Sequence, residues 1–323
     1  MKYEFSYYDP KDFDEVEEMI LRSYSWEYPV FGLNRFEFCM GLHPRFTGVP
    51  GALERGAGVF RKDGKMVACA INEVSAEGDA FFLFDSKEDA QNEELIENMI
   101  FFAQTGMSQV EENGTTRFVK LRVPEWNTVL LKKAEAHGFI REDWSESTPL
   151  KMIDTTDLDT DLPPGYRYAD GNETPAFFLS NTHMASFNYS LDRRPDAEGA
   201  FHDLRKMKSY NPNFDLCILD PWGRPVAMAI LWYRAGMPYC ELEPLGVVWW
   251  ERRKKLGTKI LNEAFKRLHA VHPECNGMTG GEQPFYEKIG YELKGKNWIY
   301  TWKTDVYPSW EARSESMDYR KGL

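Results

Sequence analysis

The stretch ELEPLGVVWWERRKKLGTKILNEAFKRL, Glu241 to Leu268, reads as a strand, a basic turn and a helix. Up to Trp250 its residues are alternating, β-branched or aromatic, while Ile260, Leu261, Ala264, Phe265 and Leu268 recur at helical spacing. Between the two lie Arg252, Arg253, Lys254 and Lys255, followed by Leu256, Gly257 and Thr258. A turn that feeds a helix N-terminus aims unpaired backbone N–H groups and the positive end of the helix dipole at one spot, which suits an anion. Consecutive cations at that spot make a polyanion such as a pyrophosphate the expected ligand.

The remainder of the chain is acidic, with a formal net charge of −12 over 323 residues. That balance disfavours a nucleic-acid partner and makes the basic turn stand out, while an acidic surface suits a cationic amine. The length gives a soft prior of about two domains, each large enough to bury a core. Cys39, Cys69, Cys217, Cys240 and Cys275 show no C-x-x-C and no histidine at metal spacing, so free buried thiols are expected and no metal site. The longest apolar run, Val226 to Tyr233, is far short of a membrane span, and the opening MKYEFSYYDPKD lacks a signal-peptide pattern; a soluble, cytoplasmic chain without a membrane partner is expected. Nucleotide P-loops, dinucleotide glycine motifs, H-E-x-x-H and G-x-S-x-G are absent from the sequence.

Taken in order, Lys2 to Tyr8 alternates as a strand and a capped helix starts near Asp12 with Phe13, Val16, Ile20 and Tyr24 on one face. A short helix is expected at Phe36 to Leu42. Gly58 to Phe84 reads as a three-stranded meander with turns at Asp63-Gly64 and Glu77-Gly78. A helix over Asp89 to Ala103, a strand over Thr116 to Val123, a helix over Asn127 to His137 closed by Gly138, and a strand over Ser147 to Ile153 complete a first half. Residues 155–164 are polar and run into Pro163-Pro164-Gly165, as a linker does.

The same order then recurs up to Trp302, so the chain reads as an internal duplication. Asp63 to Ile71 resembles Trp222 to Ile230, Ala134 to Phe139 resembles Tyr286 to Tyr291, and two helices share one apolar spacing, Leu95, Ile96, Met99, Ile100, Ala103 against Ile260, Leu261, Ala264, Phe265, Leu268. The halves differ where chemistry is concerned. In place of the basic turn the first half has Ser86 to Glu94, rich in carboxylates that would repel a pyrophosphate.

The run Arg252-Arg253-Lys254-Lys255-Leu256-Gly257 is similar to the acetyl-CoA pyrophosphate loop of the GNAT acetyltransferase superfamily. Lys255 departs from it, standing where the family prefers its first glycine. The resemblance implies an α/β (α+β) fold of two tandem GNAT-like domains, each a mixed, mostly antiparallel sheet flanked by helices. On that basis residues 1–154 are an N-terminal domain without cofactor, 165–303 a C-terminal acyl-CoA-binding domain, and 304–323 a tail free to cap either lobe or a neighbouring chain.

The resemblance further implies that acetyl-CoA is the acyl donor, its pyrophosphate held by Arg252, Arg253, Lys254, Lys255, Leu256, Gly257 and Thr258 and its pantetheine arm paired with the strand at Val247 and Val248. Tyr286, four residues before Gly290, matches the tyrosine that serves the family as general acid to the departing thiolate; the first half has Ala134 there. Direct attack needs a neutral amine, hence a base near operating pH. Glu241 and Glu243 lie two apart on the strand and are the candidates, Glu243 first because it is nearer the cofactor strand. His183, Phe187 and Tyr189 are expected to line the acceptor site, His183 without a catalytic role. The resulting expectation is an N-acetyltransferase acting on a small-molecule amine, with oligomeric state open; the alternative is a non-enzymatic acyl-CoA sensor or interaction module on the same scaffold.

Overall fold

The computed structural model describes residues 3–39, 56–73, 78–190 and 194–306. Along the chain these form β1 (Glu4–Tyr7), α1 (Phe13–Ser23), α2 (Leu33–Glu37), β2 (Ala57–Lys62), β3 (Lys65–Ile71), β4 (Asp79–Phe84), α3 (Glu93–Phe102), β5 (Gln109–Val110), β6 (Thr116–Pro124), α4 (Thr128–Ala136) and β7 (Ile140–Met152). There follow β8 (Arg167–Asp170), α5 (Ala176–Phe187), α6 (Arg194–Leu204), β9 (Asp215–Leu219), β10 (Pro225–Trp232), β11 (Glu241–Val247), α7 (Leu256–Val271), β12 (Gly277–Thr279), α8 (Pro284–Lys288) and β13 (Glu292–Asp305). The expected turn at Glu77, the end of the helix expected to reach Leu42, and the tail beyond Val306 lie outside the described residues.

Two compact units result, and they are not the two halves of the sequence. Unit 1 draws on Met1–Met19, Gly48–Glu146 and Lys296–Leu323; unit 2 draws on Ile20–Thr47 and Ser147–Gly295.

In unit 1 the strands run in the order β1-β2-β3-β4-β6-β13, with β5 also on β6. The meander is antiparallel, its β2–β3 turn made by Asp63 and Gly64, both at positive φ as a tight hairpin requires. β4 meets β6 in parallel. The last strand is β13, whose Asn297 to Asp305 pair antiparallel with Pro124 to Thr116. Val59, Phe60, Phe81, Leu95, Ile96, Met99, Ile100, Leu121 and Ile299 are fully or nearly fully buried and form the core. Asp9 and Asp12 make a capping box ahead of α1.

Unit 2 carries an antiparallel sheet β11-β10-β9-β8. Its core joins Ala169, Leu179, Phe201, Cys217, Leu219, Met228, Ile230 and Trp232. The stripe of α7, Ile260, Leu261, Ala264, Phe265 and Leu268, is at most 2% exposed, so the helical spacing found in the sequence is a buried face. β12 pairs with Leu150–Met152, the end of β7. That strand begins at Ile140, not at Ser147: Arg141, Glu142, Asp143 and Glu146 fall on an exposed to half-exposed stretch, where no alternation of apolar residues is needed. All five cysteines are free and buried.

Candidate active site

The basic turn lies between β11 and α7, all within unit 2. Trp249–Glu251 form a single 3-10 turn, after which Arg253 and Lys255 both take left-handed backbone, at φ 71° and 60°. Lys255 is the residue before α7, and no side chain caps that helix. The N–H groups of Leu256, Gly257 and Thr258 therefore have no partner inside the helix, and no acid stands in its first turn. The corresponding helix of unit 1, α3, is built the opposite way. Asn92 accepts from Leu95 N at 3.0 Å, and Glu93 and Glu94 fill the first turn. One helix end is closed against an anion and the other left open to one.

The four cations of the turn divide into two pairs. Arg252 sends Nη2 to the carbonyl of Ser186 at 2.6 Å and Nε to that of Val247 at 3.2 Å, tying the end of α5 to the end of β11. Lys254 Nζ reaches Glu251 Oε2 at 2.8 Å and Tyr166 Oη at 2.9 Å. Its pKa is raised to about 12 by those bonds, Glu251's first. Burial alone would push the Glu251 carboxyl up, but Lys254 and Tyr166 overcome it and hold it below the usual range. The side chains of Arg253 and Lys255 are exposed and make no hydrogen bond or ion pair among the described residues. They are the pair available to a ligand.

β11 is bordered by a partner on one side only for part of its length. Toward β12 it holds at Cys240, which forms a parallel bridge with Met278, and at Leu242, whose N–H meets Thr279 Oγ1 at 3.1 Å. From Leu245 to Val247 it pairs with β10 alone. The ladder between β10 and β11 shifts register between Ala229 and Leu231, so Glu243 and Pro244 bulge out, and Trp232 Nε1 anchors the bulge through a 2.6 Å bond to the Glu243 carbonyl. Val248 N–H bonds to Val226 O at 3.0 Å, which by antiparallel alternation turns the N–H and C=O of Leu245 and Val247 away from β10. Val247 thus presents its N–H to the open edge, its carbonyl being taken by Arg252 Nε. Val248 does not: its carbonyl is taken by Glu251 N at 3.0 Å, and Leu245, which the sequence reading passed over, has the orientation expected of it.

At the other end of β11 the two carboxylates part company. Glu243 is exposed on the bulge, whereas Glu241 is half-buried and accepts from the Tyr24 hydroxyl and from Asn34 N at 3.2 Å. Burial raises the Glu241 pKa to about 7, with the Glu243 charge adding to it and the bonds from Tyr24 and Asn34 opposing it. Gly32 packs so tightly here that a Cβ would stand 2.3 Å from Glu241 Oε1. Tyr286, on α8, has its pKa raised to about 12 by burial and by Glu243. Its ring lies on the backbone of Gly280 and Gly281, where Cβ atoms would come within 2.5 and 2.9 Å of it, which accounts for the Gly-Gly pair after β12. The bulged Glu243 is therefore the charge felt by both Glu241 and Tyr286.

His183, Phe187 and Tyr189 do come together at the end of α5, with ring centroids 4.6 and 5.3 Å from the histidine. Burial pushes the His183 imidazole down to about 4, so it is neutral at physiological pH. Among the described residues no group of three or more His, Cys, Asp or Glu side chains is arranged to hold a metal ion, and no helix is long and apolar enough to cross a membrane. Tyr24 and Asn34 could not be found from the sequence, since neither lies in a motif and both reach Glu241 across more than two hundred residues of chain.

The fold is that of solved GNAT acetyltransferases, here in tandem. The chain is similar over 95% of its length to a tandem GNAT protein from the clavulanic acid biosynthesis pathway, covering 99% of that chain at 15% identity and a TM-score of 0.61. It is similar likewise to a GCN5-related N-acetyltransferase from Sphaerobacter thermophilus (13% identity, 95% and 96% of the two chains, TM-score 0.57) and to a GNAT-family acetyltransferase from Colwellia psychrerythraea (10%, 95% and 100%, 0.55). No family model matches the sequence, and no curated protein matches it. At these identities the likeness is one of fold.

Proposed function

We infer that the protein is an acyltransferase that moves an acetyl group from acetyl-CoA to the amine of a small molecule, with unit 2 as the working unit. The observation that carries this reading is the uncapped N-terminus of α7, flanked by the unpaired Arg253 and Lys255, directly after a strand with an open edge. Those features fit an elongated ligand with a pyrophosphate at one end. Acetyl-CoA, when bound, supplies the acetyl group as an activated thioester.

The remaining roles belong to the chain. Arg253, Lys255 and the N–H groups of Leu256, Gly257 and Thr258 bind the pyrophosphate, while Arg252 and Lys254 shape the turn. The backbone of Leu245 and the N–H of Val247 hold the extended arm by strand-type bonds. Glu241, with a pKa near neutrality, takes the proton of the attacking amine through its carboxylate, a role that the exposed Glu243 supports by its charge. Tyr286 stays protonated at neutral pH and donates from Oη as negative charge develops on the departing sulfur.

Calorimetric titration of acetyl-CoA tests the reading. Wild type should bind one equivalent per chain. An Arg253→Glu, Lys255→Glu double variant should bind at least about tenfold more weakly, as expected for loss and reversal of charge at a phosphate site. Tyr286→Phe should bind acetyl-CoA normally and turn over about a hundredfold more slowly, the usual scale of proton-transfer catalysis. Wild-type protein without affinity for acetyl-CoA would overturn the proposal.

A further inference from the structure

Glu241 opens β11, and Asp79 opens β4, which pairs with β3 as β11 pairs with β10. The two acids are held in different ways. Asp79 is ion-paired: Arg122 Nη1 donates to it, and the same guanidinium lies 4.8 Å from the Phe81 ring and sends Nη2 to Glu146 at 3.3 Å. A carboxyl fixed by a cation stays ionised. Glu241 has no ion-pair partner among the described residues, and its hydrogen bonds come from neutral groups.

Those groups belong to Ile20–Thr47, the piece of the N-terminal half that lies in unit 2. Tyr24 Oη donates to Glu241 Oε1 and itself accepts from Leu33 N at 3.1 Å, so the phenol is fixed from both sides. Asn34 N donates to Oε2 at 3.2 Å. Gly32 closes on the same carboxyl. Its φ of −69° and ψ of 162° suit any residue, yet the three atoms nearest to a Cβ there are Oε1, Cδ and Oε2 of Glu241, the first at 2.3 Å. Glycine at 32 therefore makes room for the carboxyl group and is not required by the backbone. Tyr239 packs edge-on against Tyr24 at 5.5 Å and stacks with Tyr28 at 6.3 Å, backing the phenol. The other titratable groups coupled to Glu241 are Glu243, Tyr239 and Cys240, and Tyr239 in turn feels Tyr28 and Glu27. Burial, and then the Glu241 charge, pushes the Tyr24 phenol well up, so it remains a donor at any working pH.

A general base must change protonation without changing place. Neutral donors on both oxygens meet that need: they fix the carboxyl group and favour its charged form, without a cation that would abolish its basicity. Each oxygen keeps a lone pair for the proton. We propose that Tyr24 is the positioning residue of Glu241, with Asn34 N and Gly32 completing a clamp, so that the N-terminal half supplies part of the site in unit 2. The inference rests on the acyltransferase reading, in which Glu241 takes the proton of the amine.

The full-length protein allows the clamp and the chemistry to be measured separately. Titration of the Glu241 carboxyl carbon by NMR, assigned by its loss in Glu241→Gln, reads the clamp without turnover. Tyr24→Phe should move that titration upward by about one pH unit, the scale of one hydrogen bond to a charge, and the rising limb of kcat/KM should move with it. Where Glu241 is ionised, the same variant should lower kcat about tenfold and leave acetyl-CoA affinity within about twofold. Gly32→Ala, which keeps the phenol but displaces the carboxyl group, should lower kcat to a similar extent. In a Glu241→Gln background Tyr24→Phe should cost nothing further, because it acts only through Glu241. An unmoved Glu241 titration in a folded Tyr24→Phe variant, an additive loss in the double variant, or wild-type kcat in Gly32→Ala would overturn the proposal. A Glu241 titration that depends on Tyr24 in a protein that does not bind acetyl-CoA would retain the clamp and remove the acyltransferase.

Discussion

At Lys255 a side chain occupies backbone that glycine would adopt without strain. Left-handed φ costs a non-glycine residue roughly 1 kcal/mol, and here the lysine is exposed and unpaired, so nothing in the protein offsets it. Lys255→Gly should therefore raise the denaturation midpoint, by about 1 kcal/mol of stability, while weakening acetyl-CoA binding several-fold through loss of the charge; a variant less stable than wild type would show that the lysine makes a stabilising contact. The raised carboxyls give a second measurable consequence. A carboxyl whose folded pKa exceeds its unfolded value takes up a proton on folding, so its contribution to stability is full below the ordinary value near 4.5 and is lost as pH rises through the folded value. For Glu241 that loss extends through about 7 and for Glu27 through about 8. Wild type should be more resistant to urea at about pH 5.5 than at about pH 8.5, and Glu27→Gln should narrow the gap. With Glu241 as the proposed base, activity should run the other way: kcat/KM should rise with an apparent pKa near 7, and Glu241→Gln should lose that limb.

Elements were legible in the sequence where one face is buried, and less so elsewhere. The stripe from Ile260 to Leu268 found α7 because burial imposes its period on the side chains, and Asp63-Gly64 found the β2–β3 hairpin because only certain residues take that turn. The first seven residues of β7 escaped because a strand with little burial needs no alternation. For the candidate site, spacing located the turn and Tyr286 but could not say which cations are consumed by the protein. Arg252 and Lys254 are spent on Ser186, Val247, Glu251 and Tyr166, of which Ser186 and Tyr166 lie 66 and 88 residues away in the chain and give no local signal. The bulge at Glu243 and Pro244 is the clearest case. Regular alternation puts Glu241 and Glu243 on one face, but two residues on β11 opposite one on β10 break the alternation, leaving Glu241 sheltered and Glu243 exposed.

Over the whole molecule, the partner of each strand is the property that local pattern carries least. The sequence reading ends its first domain at residue 154, yet the strand that completes unit 1 is Asn297 to Asp305, paired residue for residue with Pro124 to Thr116. That strand contributes Ile299 and Tyr300, which are 0% and 1% exposed, and Tyr300 Oη reaches Glu135 at 3.3 Å. A fragment of residues 1–154 would lack these side chains and leave the backbone groups of β6 along that edge unpaired, a combination that costs stability and invites aggregation. Such a fragment should show no cooperative thermal transition, or should form aggregates. The same fragment with residues 296–306 appended through a flexible linker should melt cooperatively, because the missing edge is then filled by its own strand. If instead the bare fragment melts cooperatively and stays monomeric, the last strand is dispensable to unit 1 and its boundary lies where the acidic linker suggests. Failure of both forms would mean that unit 1 depends on more of the chain than β13.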